Sequence, residues 1–452
     1  MKFIIRGGRK LEGEIKLAGA KNAATKMMVA SLLTSEPCVL ENFPQIGDTE
    51  ITSELCRSIG SKIQKDGGTL KIHTPAIANT RVVSLSRRNR IPILAIGPLL
   101  ARVGEAEVPI LGGDKIGPRP VDIHLDALKA MGAKIEIRPE SYFATAKTGL
   151  RGAEITLRFP SVGATENAIL AAALAKGKTV INNAAIEPEI LDLIKMLQNM
   201  GAIIGLGVNR TVIIDGVKEL RGAVHRILPD RNEAVSFACL AAATGGRILA
   251  KGARQEDLVN FLNVLRRIGG EYEAVEDGII FYSPSPNTPG VSPEMKARRT
   301  LRSLGEGGLG LWRIPLRYPE RKLGELHFPA GKALNSAKIE TAPHPGFMTD
   351  WQQPLTVLLT QASGQSTIHE TIYEDRFGYA QDLNLMGADI KVLSECLKEN
   401  NRSACRFEGQ NYNHSAIING PRKLRGANLE VRDLRSGIAH IIAALIAEGE
   451  SV

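Results

Sequence analysis

The sequence predicts an α/β protein built as two lobes, and three observations support that prediction. A pattern of strand, small-residue helix, strand and second helix recurs along the chain. The chain has 452 residues, which is too long for one small core and suits two domains of roughly 200 residues each. Hydrophobic residues make up 43% of the chain and charged residues 23%, as in an ordinary globular protein.

Each copy of the repeat opens with a strand beside Gly-Ala and closes with a helix that ends in Met-Gly-Ala or a similar triplet. A glycine at that position suits the left-handed cap of a helix. One copy cannot cover its own helix and sheet faces, so several copies must pack around shared cores. Five full copies and part of a sixth therefore predict three β-α-β-α units in each lobe. The copies begin at Leu11, Arg90, Leu150, Leu220, Leu323 and Leu424.

The sixth copy is the incomplete one. It contains LRGANLEV and the helix IAHIIAALIAEGESV but lacks a last strand and a second helix. Either the sequence is truncated or the protein has lost that half-unit. Residues 284–322 also interrupt the repeat with prolines and basic residues, and they predict an exposed loop insertion. We expect lobe A to comprise residues 1–20 and 227–452, and lobe B to comprise residues 21–226 with the loop 112–124.

The composition favours small anionic partners over nucleic acid or a membrane. The net charge is +9, but only 4% of the residues are aromatic and no nucleic-acid-binding motif accompanies the charge. The longest apolar stretch, from Ile91 to Ala101, is too short to span a bilayer. The first residues lack the apolar run of a signal peptide. We therefore expect a cytoplasmic protein that is a monomer or a weak oligomer.

Neither the cysteines nor the histidines indicate a metal. No two cysteines have CxxC spacing, so the sequence suggests neither a disulfide framework nor a zinc site. His124 and His344 form no metal-ligand pattern, and no GxxxxGK[ST] or GxGxxG loop precedes a helix. We expect no metal, no nucleotide cofactor, and buried or incidental thiols at Cys38, Cys56, Cys239, Cys396 and Cys405.

The segment from Gly112 to His124, GGDKIGPRPVDIH, carries the strongest chemical signal. Its glycines and prolines predict a loop of constrained geometry and not a helix. A carboxylate flanked by cations on such a loop suits a proton donor that acts on an anionic substrate. A polar surface turn is the alternative that the segment alone leaves open. The polar side chains that it presents are Asp114, Lys115, Arg119, Asp122 and His124.

Two further segments place polar residues beside predicted helix starts. In AGAKNAA, Lys21 and Asn22 stand where a strand gives way to a helix, and a helix N-terminus beside an ammonium group favours phosphate or carboxylate. In TAPHPGFMTDWQQ, Asp350 stands just before a helix, which suits an N-cap, a general base for a substrate hydroxyl, or both. Bidentate pairing with carboxylate or phosphate is available to three arginines, Arg90, Arg376 and Arg435.

At these residues the chain resembles the enolpyruvyl transferases, and within them the family of UDP-N-acetylglucosamine 1-carboxyvinyltransferases of the EPSP synthase superfamily. The resemblance runs from Phe3 to the C-terminus apart from the insertion. It rests on AGAKNA, GPLLAR, GGxxIGxRPVDIH, PSVGAT, EPEI, LPDR, TAPHPGFxTD, EDRF and DLR. It implies a two-lobed inside-out α/β barrel that closes over substrate. It also implies transfer of the enolpyruvyl group of phosphoenolpyruvate to UDP-N-acetylglucosamine, the first committed step of peptidoglycan synthesis, without a cofactor.

The resemblance also implies a role for each site residue. Lys21 and Asn22 would hold phosphoenolpyruvate, with its anionic groups also bound by Arg119, Arg376 and Arg435. Lys21 and Arg119 would take part in catalysis. Asp350 would accept or orient the proton of the sugar 3-hydroxyl, and Asp114 would protonate the methylene carbon of phosphoenolpyruvate. Contacts to the UDP-sugar would come from Arg90, Arg119, Pro120, Val121, Asp122, Ile123, Phe159, Pro160, Ser161, Val162, Asp350 and Ile372.

Two departures from the family bear on activity. Most members carry a cysteine where this chain has Asp114. Aspartate can serve as a general acid but is a poorer nucleophile than a thiolate toward an epoxide, so the resemblance implies resistance to fosfomycin, which alkylates that cysteine. The family also continues past the sixth helix into a D-R-G-Y motif, which this sequence does not contain. The alternative functions are transfer to a different acceptor and UDP-sugar binding without turnover.

Overall fold

The computed structural model describes residues 2–87, 89–110, 112, 120–283, 334–397, 405–431 and 434–452, the side chains of 434 and 435 excepted. The predicted insertion at 284–322 and residues 113–119 of the predicted loop lie outside this part of the chain. The start of the fifth copy at Leu323 also lies outside it, and the described part of that copy begins at residue 334.

The helices alternate along the chain between more buried and less buried ones. The helix Pro188–Asn199 is the second helix of its copy of the repeat. It is followed by Gly201 at φ +104°, a left-handed cap. The helix Val162–Ala172 is an alanine-rich example of the more buried type. Every residue from Ala164 to Ala172 is buried, so this helix packs on all sides. The helices are α1 (Lys21–Ala30), α2 (Gly47–Ile59), α3 (Ile96–Val103), α4 (Asp122–Ala130), α5 (Val162–Ala172), α6 (Pro188–Asn199), α7 (Arg231–Thr244), α8 (Val259–Arg267), α9 (Gln352–Leu359), α10 (Ala380–Leu385) and α11 (Leu434–Ile446).

The strands are short, and several of them alternate buried with more exposed side chains. They are β1 (Ile5–Arg6), β2 (Glu12–Lys16), β3 (Cys38–Glu41), β4 (Lys62–Asp66), β5 (Thr69–His73), β6 (Glu105–Pro109), β7 (Lys134–Ile137), β8 (Ser141–Thr145), β9 (Glu154–Thr156), β10 (Lys178–Asn182), β11 (Ile203–Leu206), β12 (Val212–Asp215), β13 (Val224–Arg226), β14 (Arg247–Lys251), β15 (Glu271–Val275), β16 (Gly278–Tyr282), β17 (Lys338–Glu340), β18 (Gly364–His369), β19 (Ile390–Leu393), β20 (Ser415–Gly420) and β21 (Glu450–Ser451).

The sheets repeat one strand order, which confirms the repeat seen in the sequence. The four-stranded sheets are β13-β3-β5-β4, β9-β10-β12-β11, β2-β14-β16-β15 and β17-β18-β20-β19. In each, the first pair is parallel and the other pairs are antiparallel. The sheet β6-β8-β7 has the same antiparallel part, and a single parallel bridge between Arg81 and Glu107 stands in place of its edge strand.

The first and fourth copies of the repeat exchange their opening strands. β2, from the copy at Leu11, pairs with β14, while β13, from the copy at Leu220, pairs with β3. The chain therefore passes twice between two groups of sheets. At this crossing Gly19 bridges Pro229, and the amide of Ala20 donates to the carbonyl oxygen of Leu228 at 2.8 Å. A continuous copy in the sequence is thus not always a continuous sheet in the structure.

Two hydrophobic clusters fill the molecule, and each serves three of the sheets. One cluster extends from Ala20 to Leu228, and the other contains Leu17 and residues from Ala234 to Ala447. The sixth copy contributes α11 and β21 to the second cluster's side, and β21 pairs antiparallel with β1. Among the described residues, no helix combines the length and the apolar character needed to cross a membrane.

Candidate active site

The candidate site is a cleft with two facing walls. One wall is at the start of α1, which begins at Lys21 as predicted. The carboxylate of Asp230 accepts the backbone N–H of Lys21 at 3.1 Å and that of Asn232 at 2.7 Å, so one side chain caps the starts of α1 and α7. Lys21 Nζ lies 3.0 Å from Asp48 Oδ2 and is only partly exposed. An ammonium group is therefore held at a helix N-terminus, an arrangement that suits an anion.

The second wall carries Asp350, and here the predicted N-cap is wrong. Asp350 lies within the short 3-10 helix Thr349–Trp351, and the N-cap position of α9 is occupied by Trp351. Its carboxylate instead pairs with the guanidinium of Arg376, whose side chain is 4% exposed. A buried guanidinium needs such a partner, because an uncompensated charge there would cost several kcal/mol. The ion pair thus replaces the cap.

Glu370 holds this second wall in place. Its buried carboxylate accepts hydrogen bonds from Thr349 Oγ1 at 2.8 Å and Gln352 Nε2 at 2.6 Å. It also accepts one from the backbone N–H of Ile372 at 2.8 Å. One carboxylate therefore ties the turn that carries Asp350 to the turn that carries Ile372.

A cleft of about 390 Å³ lies between the two walls, a volume suited to a small-molecule substrate. Its lining brings together most of the predicted site residues, namely Lys21, Asn22, Arg90, Pro120, Ile123, Phe159, Pro160, Ser161, Val162, Asp350, Ile372 and Arg376. Val121 and Asp122 do not belong to the lining, and Asp122 instead pairs with Arg158. Asp114 and Arg119 lie outside the described residues, as does the side chain of Arg435.

The segment from Gly112 to His124 is not a loop to its end, contrary to the prediction. α4 begins at Asp122, so the last three residues of the segment are helical. An aspartate in the first turn is favoured by the helix dipole, and Asp122 Oδ1 also accepts the backbone N–H of Ile123 at 2.9 Å. The prolines and glycines that predicted a loop all precede this point.

The lining of the cleft carries a modest excess of positive charge, six cationic side chains against four acidic ones among the described residues. The cationic side chains in its lining are Lys21, Lys26, Arg90, Arg158, Arg376 and Arg406, and the acidic ones are Glu166, Glu187, Asp350 and Glu374. Focused positive charge of this kind raises the local concentration of anionic ligands. The arrangement suits a substrate with phosphate or carboxylate groups.

Glu166 is the acidic residue with the most perturbed environment. It is buried in α5, and within the described part of the chain neither of its oxygens has a hydrogen-bond partner. Lys26 Nζ lies 3.8 Å from Oε1, too far for a hydrogen bond. Burial raises the pKa of Glu166 to about 7, Lys26 opposes that rise, and Glu189 and Glu187 add to it. A carboxyl group that titrates near neutrality in a cleft is a candidate for proton transfer or ligand binding.

His124 supplies a neutral edge beside these charges. Burial, followed by the positive charge of Arg90, lowers the pKa of His124 to about 3. Its Nδ1 lies 3.4 Å from the side-chain nitrogen of Asn167. A Cβ atom on Gly163 would lie 2.9 Å from His124 Cε1, so glycine is required for this close approach. Ser161 caps the same helix start by accepting the N–H of Ala164 at 3.4 Å.

A buried ion pair links the helices on the two sides of the cleft. Arg231 in α7 pairs with Glu189 in α6 at 2.9 Å, and both side chains are almost fully buried. Arg231 Nη1 also lies 3.5 Å from His344 Nδ1. Burial and then Arg231 lower the pKa of His344 to about 4, so its imidazole is neutral at physiological pH.

Several lining residues were not identified from the sequence. Glu166 carried a signal, because it is a charged residue inside the alanine-rich helix of PSVGATENAILAA. Arg406 carried none. Its guanidinium donates to the carbonyl oxygen of Ile372 at 2.6 Å and lies 5.7 Å from the ring of Phe159, so it reaches across the cleft. Other charged lining residues that were not identified are Lys26, Arg158, Glu187 and Glu374.

Solved structures share this fold. The enolpyruvyl transferase NikO from Streptomyces tendae matches 99% of this chain and 91% of its own, with a TM-score of 0.77 and 21% identity. An EPSP synthase from Acinetobacter baumannii matches 99% of this chain and 92% of its own, with a TM-score of 0.64 and 17% identity. The fold is therefore the two-lobed inside-out α/β barrel of the enolpyruvyl transferases, as predicted.

Sequence relatives then give the family. The EPSP synthase (3-phosphoshikimate 1-carboxyvinyltransferase) family matches residues 5–297 and 320–452. A UDP-N-acetylglucosamine 1-carboxyvinyltransferase of Protochlamydia amoebophila is 44% identical over 99% of this chain and 87% of its own length. One from a Caulobacter species is 37% identical over 100% of this chain and 90% of its own. The chain belongs to the EPSP synthase family of enolpyruvyl transferases.

Proposed function

We propose that the protein transfers the enolpyruvyl group of phosphoenolpyruvate to the 3-hydroxyl of UDP-N-acetylglucosamine and releases phosphate, the first committed step of peptidoglycan synthesis. The observation that carries this proposal is the cation-rich cleft, which holds Lys21 and the Asp350–Arg376 pair on facing walls. Relatives that are 42–44% identical over nearly the whole chain and bear the corresponding enzyme name support the choice of substrate.

In the proposed reaction the cations hold two anionic substrates. Lys21, Asn22 and Arg376 bind the phosphate and carboxylate of phosphoenolpyruvate, together with Arg119 and Arg435. Arg90 and the hydrophobic and backbone groups of 159–162 contact the UDP-sugar. Fixed charges of this kind need no reorganisation as negative charge develops on the departing phosphate.

Two carboxyl groups move the protons. Asp350 accepts the proton of the sugar 3-hydroxyl as that oxygen bonds to C2 of phosphoenolpyruvate, while Asp114 delivers a proton to C3. The product of this addition is a tetrahedral adduct with a methyl group. Phosphate then leaves C2 and the Asp114 carboxylate takes back a methyl proton, which restores both the double bond of the enolpyruvyl ether and the acid form of Asp114. The proton on Asp350 passes to the departing phosphate. The ion pair with Arg376 holds the Asp350 carboxylate in the wall of the cleft.

The test is phosphate release from phosphoenolpyruvate, measured with UDP-N-acetylglucosamine, with shikimate 3-phosphate, and with neither. We expect release only with UDP-N-acetylglucosamine. Release that requires shikimate 3-phosphate would indicate a different acceptor, and UDP-sugar binding without release would indicate a binding protein. Asp114→Ala should abolish turnover and leave UDP-sugar binding intact, so turnover by that variant would remove Asp114 from the acid role.

We further propose that the enzyme works in the cytoplasm, as a monomer or weak oligomer. Lobe A would comprise residues 1–20 and 227–452, and lobe B residues 21–226. The limits of the two hydrophobic clusters, which change at Ala20 and after Leu228, support these boundaries. A polypeptide of residues 21–226 with an independent, cooperative unfolding transition would support lobe B as a domain.

A further inference from the structure

Four potential metal ligands meet outside the lining of the cleft. They are His369 at the end of β18, Cys396 just after β19, Cys405 at the start of a turn, and His414 just before β20. One ligand atom of each lies within 4.8 Å of the corresponding atoms of the other three. His369, Cys405 and His414 are buried, and Cys396 is partly exposed. The set is therefore two thiols and two imidazoles around one point.

Hydrogen bonds orient both imidazoles toward that point. His414 Nδ1 lies 2.7 Å from the carbonyl oxygen of Tyr412, so Nδ1 carries the proton and Nε2 keeps its lone pair. His369 Nδ1 lies 3.3 Å from Glu340 Oε2, which assigns the same tautomer. A histidine that binds a metal almost always donates its other N–H to a carbonyl or a carboxylate in this way.

The second nitrogen of His369 is a further sign that a ligand is expected here. His369 Nε2 is buried and, among the described residues, has no hydrogen-bond partner. A buried polar atom without a partner has given up its hydrogen bonds to water and gained none in return, which destabilises the native state. A metal ion at the centre of the set would satisfy this atom.

The distances fit a tetrahedral site. Zinc bonds of about 2.3 Å to sulfur and 2.0–2.1 Å to nitrogen place neighbouring ligand atoms about 3.3–3.8 Å apart. Cys396 Sγ already lies 3.3 Å from His414 Nε2. The other pairs of ligand atoms lie within 4.8 Å of each other, so they would have to approach by at most about 1 Å when the metal binds. Two sulfur and two nitrogen ligands select zinc over magnesium or calcium.

We propose that His369, Cys396, Cys405 and His414 bind one Zn²⁺ ion in a closed structural site. Each thiol releases its proton on binding, and the two thiolates balance the charge of the ion, so the complex with two neutral imidazoles has no net charge. The protein fills all four positions and leaves none for a substrate, as in structural zinc sites. The proposal is independent of the reaction assigned to the cleft.

The proposed zinc site adjoins the turn that carries Arg406, one of the cationic residues that line the cleft. Cys405 Sγ accepts the N–H of Phe407 at 3.4 Å, and the ring of Phe407 packs 5.5 Å from that of His414. Arg406 lies between Cys405 and Phe407 in the sequence, and its guanidinium donates to the carbonyl oxygen of Ile372 in the cleft wall. A metal bound to Cys405 would therefore fix the turn that positions Arg406.

The direct test is the metal content of the full chain, prepared without a histidine tag and dialysed into metal-free buffer. We expect about one zinc ion per chain by elemental mass spectrometry. Cys405→Ser should lose the ion, and Cys38→Ala, which removes a buried thiol from the other hydrophobic cluster, should keep it. Cobalt(II) in the wild-type protein should give thiolate-to-cobalt charge-transfer absorption and the visible bands of tetrahedral cobalt.

Three results would overturn the proposal. The first is a wild-type chain that contains no zinc and fails to take up added Zn²⁺ or Co²⁺. The second is a Cys405→Ser variant that retains as much zinc as the wild type, which would indicate adventitious binding elsewhere. The third is a disulfide between Cys396 and Cys405, detected by mass spectrometry of the unreduced protein after thiol alkylation. The first and third measurements use the wild-type chain, so they do not depend on the folding of a variant.

Discussion

Glu166 and Glu370 are two buried glutamates on opposite sides of the same cleft, and they differ in how their oxygens are used. Glu370 is 0% exposed and accepts hydrogen bonds from the side chains of Thr349 and Gln352 and from backbone amides. Glu166 is 1% exposed, yet within the described residues neither of its oxygens has a hydrogen-bond partner. Lys26 is near it but does not reach hydrogen-bonding distance.

The difference separates a carboxylate that builds the site from one that is available to a ligand or a proton. A fully hydrogen-bonded buried carboxylate rigidifies its surroundings, which here are the turns that carry Asp350 and Ile372. A buried carboxylate without such bonds holds its proton more tightly, and Glu166 has a pKa of about 7 for that reason. Equal burial therefore gives opposite roles.

The largest expected effect on turnover comes from changing Asp350, whose turn is held by Glu370. Asp350→Asn keeps the shape of the side chain, but it cannot accept the proton of the sugar hydroxyl and it removes the negative charge that pairs with Arg376, so kcat should fall about 10³-fold. Binding of UDP-N-acetylglucosamine, measured by calorimetry, should change little. A variant with more than a tenth of the wild-type kcat would remove Asp350 from the role of base.

Glu370→Gln should destabilise the protein by about 3 kcal/mol, because the new amide nitrogen would face donors and leave them unsatisfied. The kcat should also fall, since the turn that carries Asp350 would lose its anchor. Urea unfolding and steady-state kinetics measure the two effects. Glu166→Gln is the matched control, because the same change there breaks no hydrogen bond among the described residues and removes only the long ion pair with Lys26, at 3.8 Å. Equal losses of stability in the two variants would contradict the comparison.

Glu166→Gln should instead change the dependence of stability on pH. The folded pKa of about 7 lies above the ordinary value of 4.5, so the native carboxyl keeps its proton while the unfolded one loses it. The free energy of unfolding of the wild type should therefore fall, relative to that of the variant, by about 2.5 kcal/mol between pH 4.5 and pH 7. Urea unfolding of both proteins across this range measures the difference. A constant difference would mean that Glu166 is ionised throughout.

The parts of the fold that depend on local pattern were predictable from the sequence. The repeat, the helix start at Lys21 and the glycine that caps α6 all follow from residues close together in the chain. The exchange of β2 and β13 was not predictable, because it depends on strand pairs more than 180 residues apart, such as Val224 with Val39. Long-range pairing of this kind leaves no local signal.

The site was predictable to the extent that motifs mark it. Lys21, Asn22, Asp350 and Arg376 line one cleft, as the motifs indicated. The N-cap prediction for Asp350 failed because a partner 26 positions away, Arg376, competes for its carboxylate. The thiol and imidazole cluster escaped detection because its ligands come from separate strand ends, and only the folded sheet brings them together.

The central claim is tested most directly by UDP-N-acetylglucosamine-dependent phosphate release from phosphoenolpyruvate, measured with and without fosfomycin. An aspartate at position 114 can donate a proton but is a poor nucleophile toward the epoxide. The account predicts that the wild-type enzyme turns over at the same rate in both conditions, and that Asp114→Cys turns over only without the drug. No release with UDP-N-acetylglucosamine, or inactivation of the wild type by fosfomycin, would contradict it.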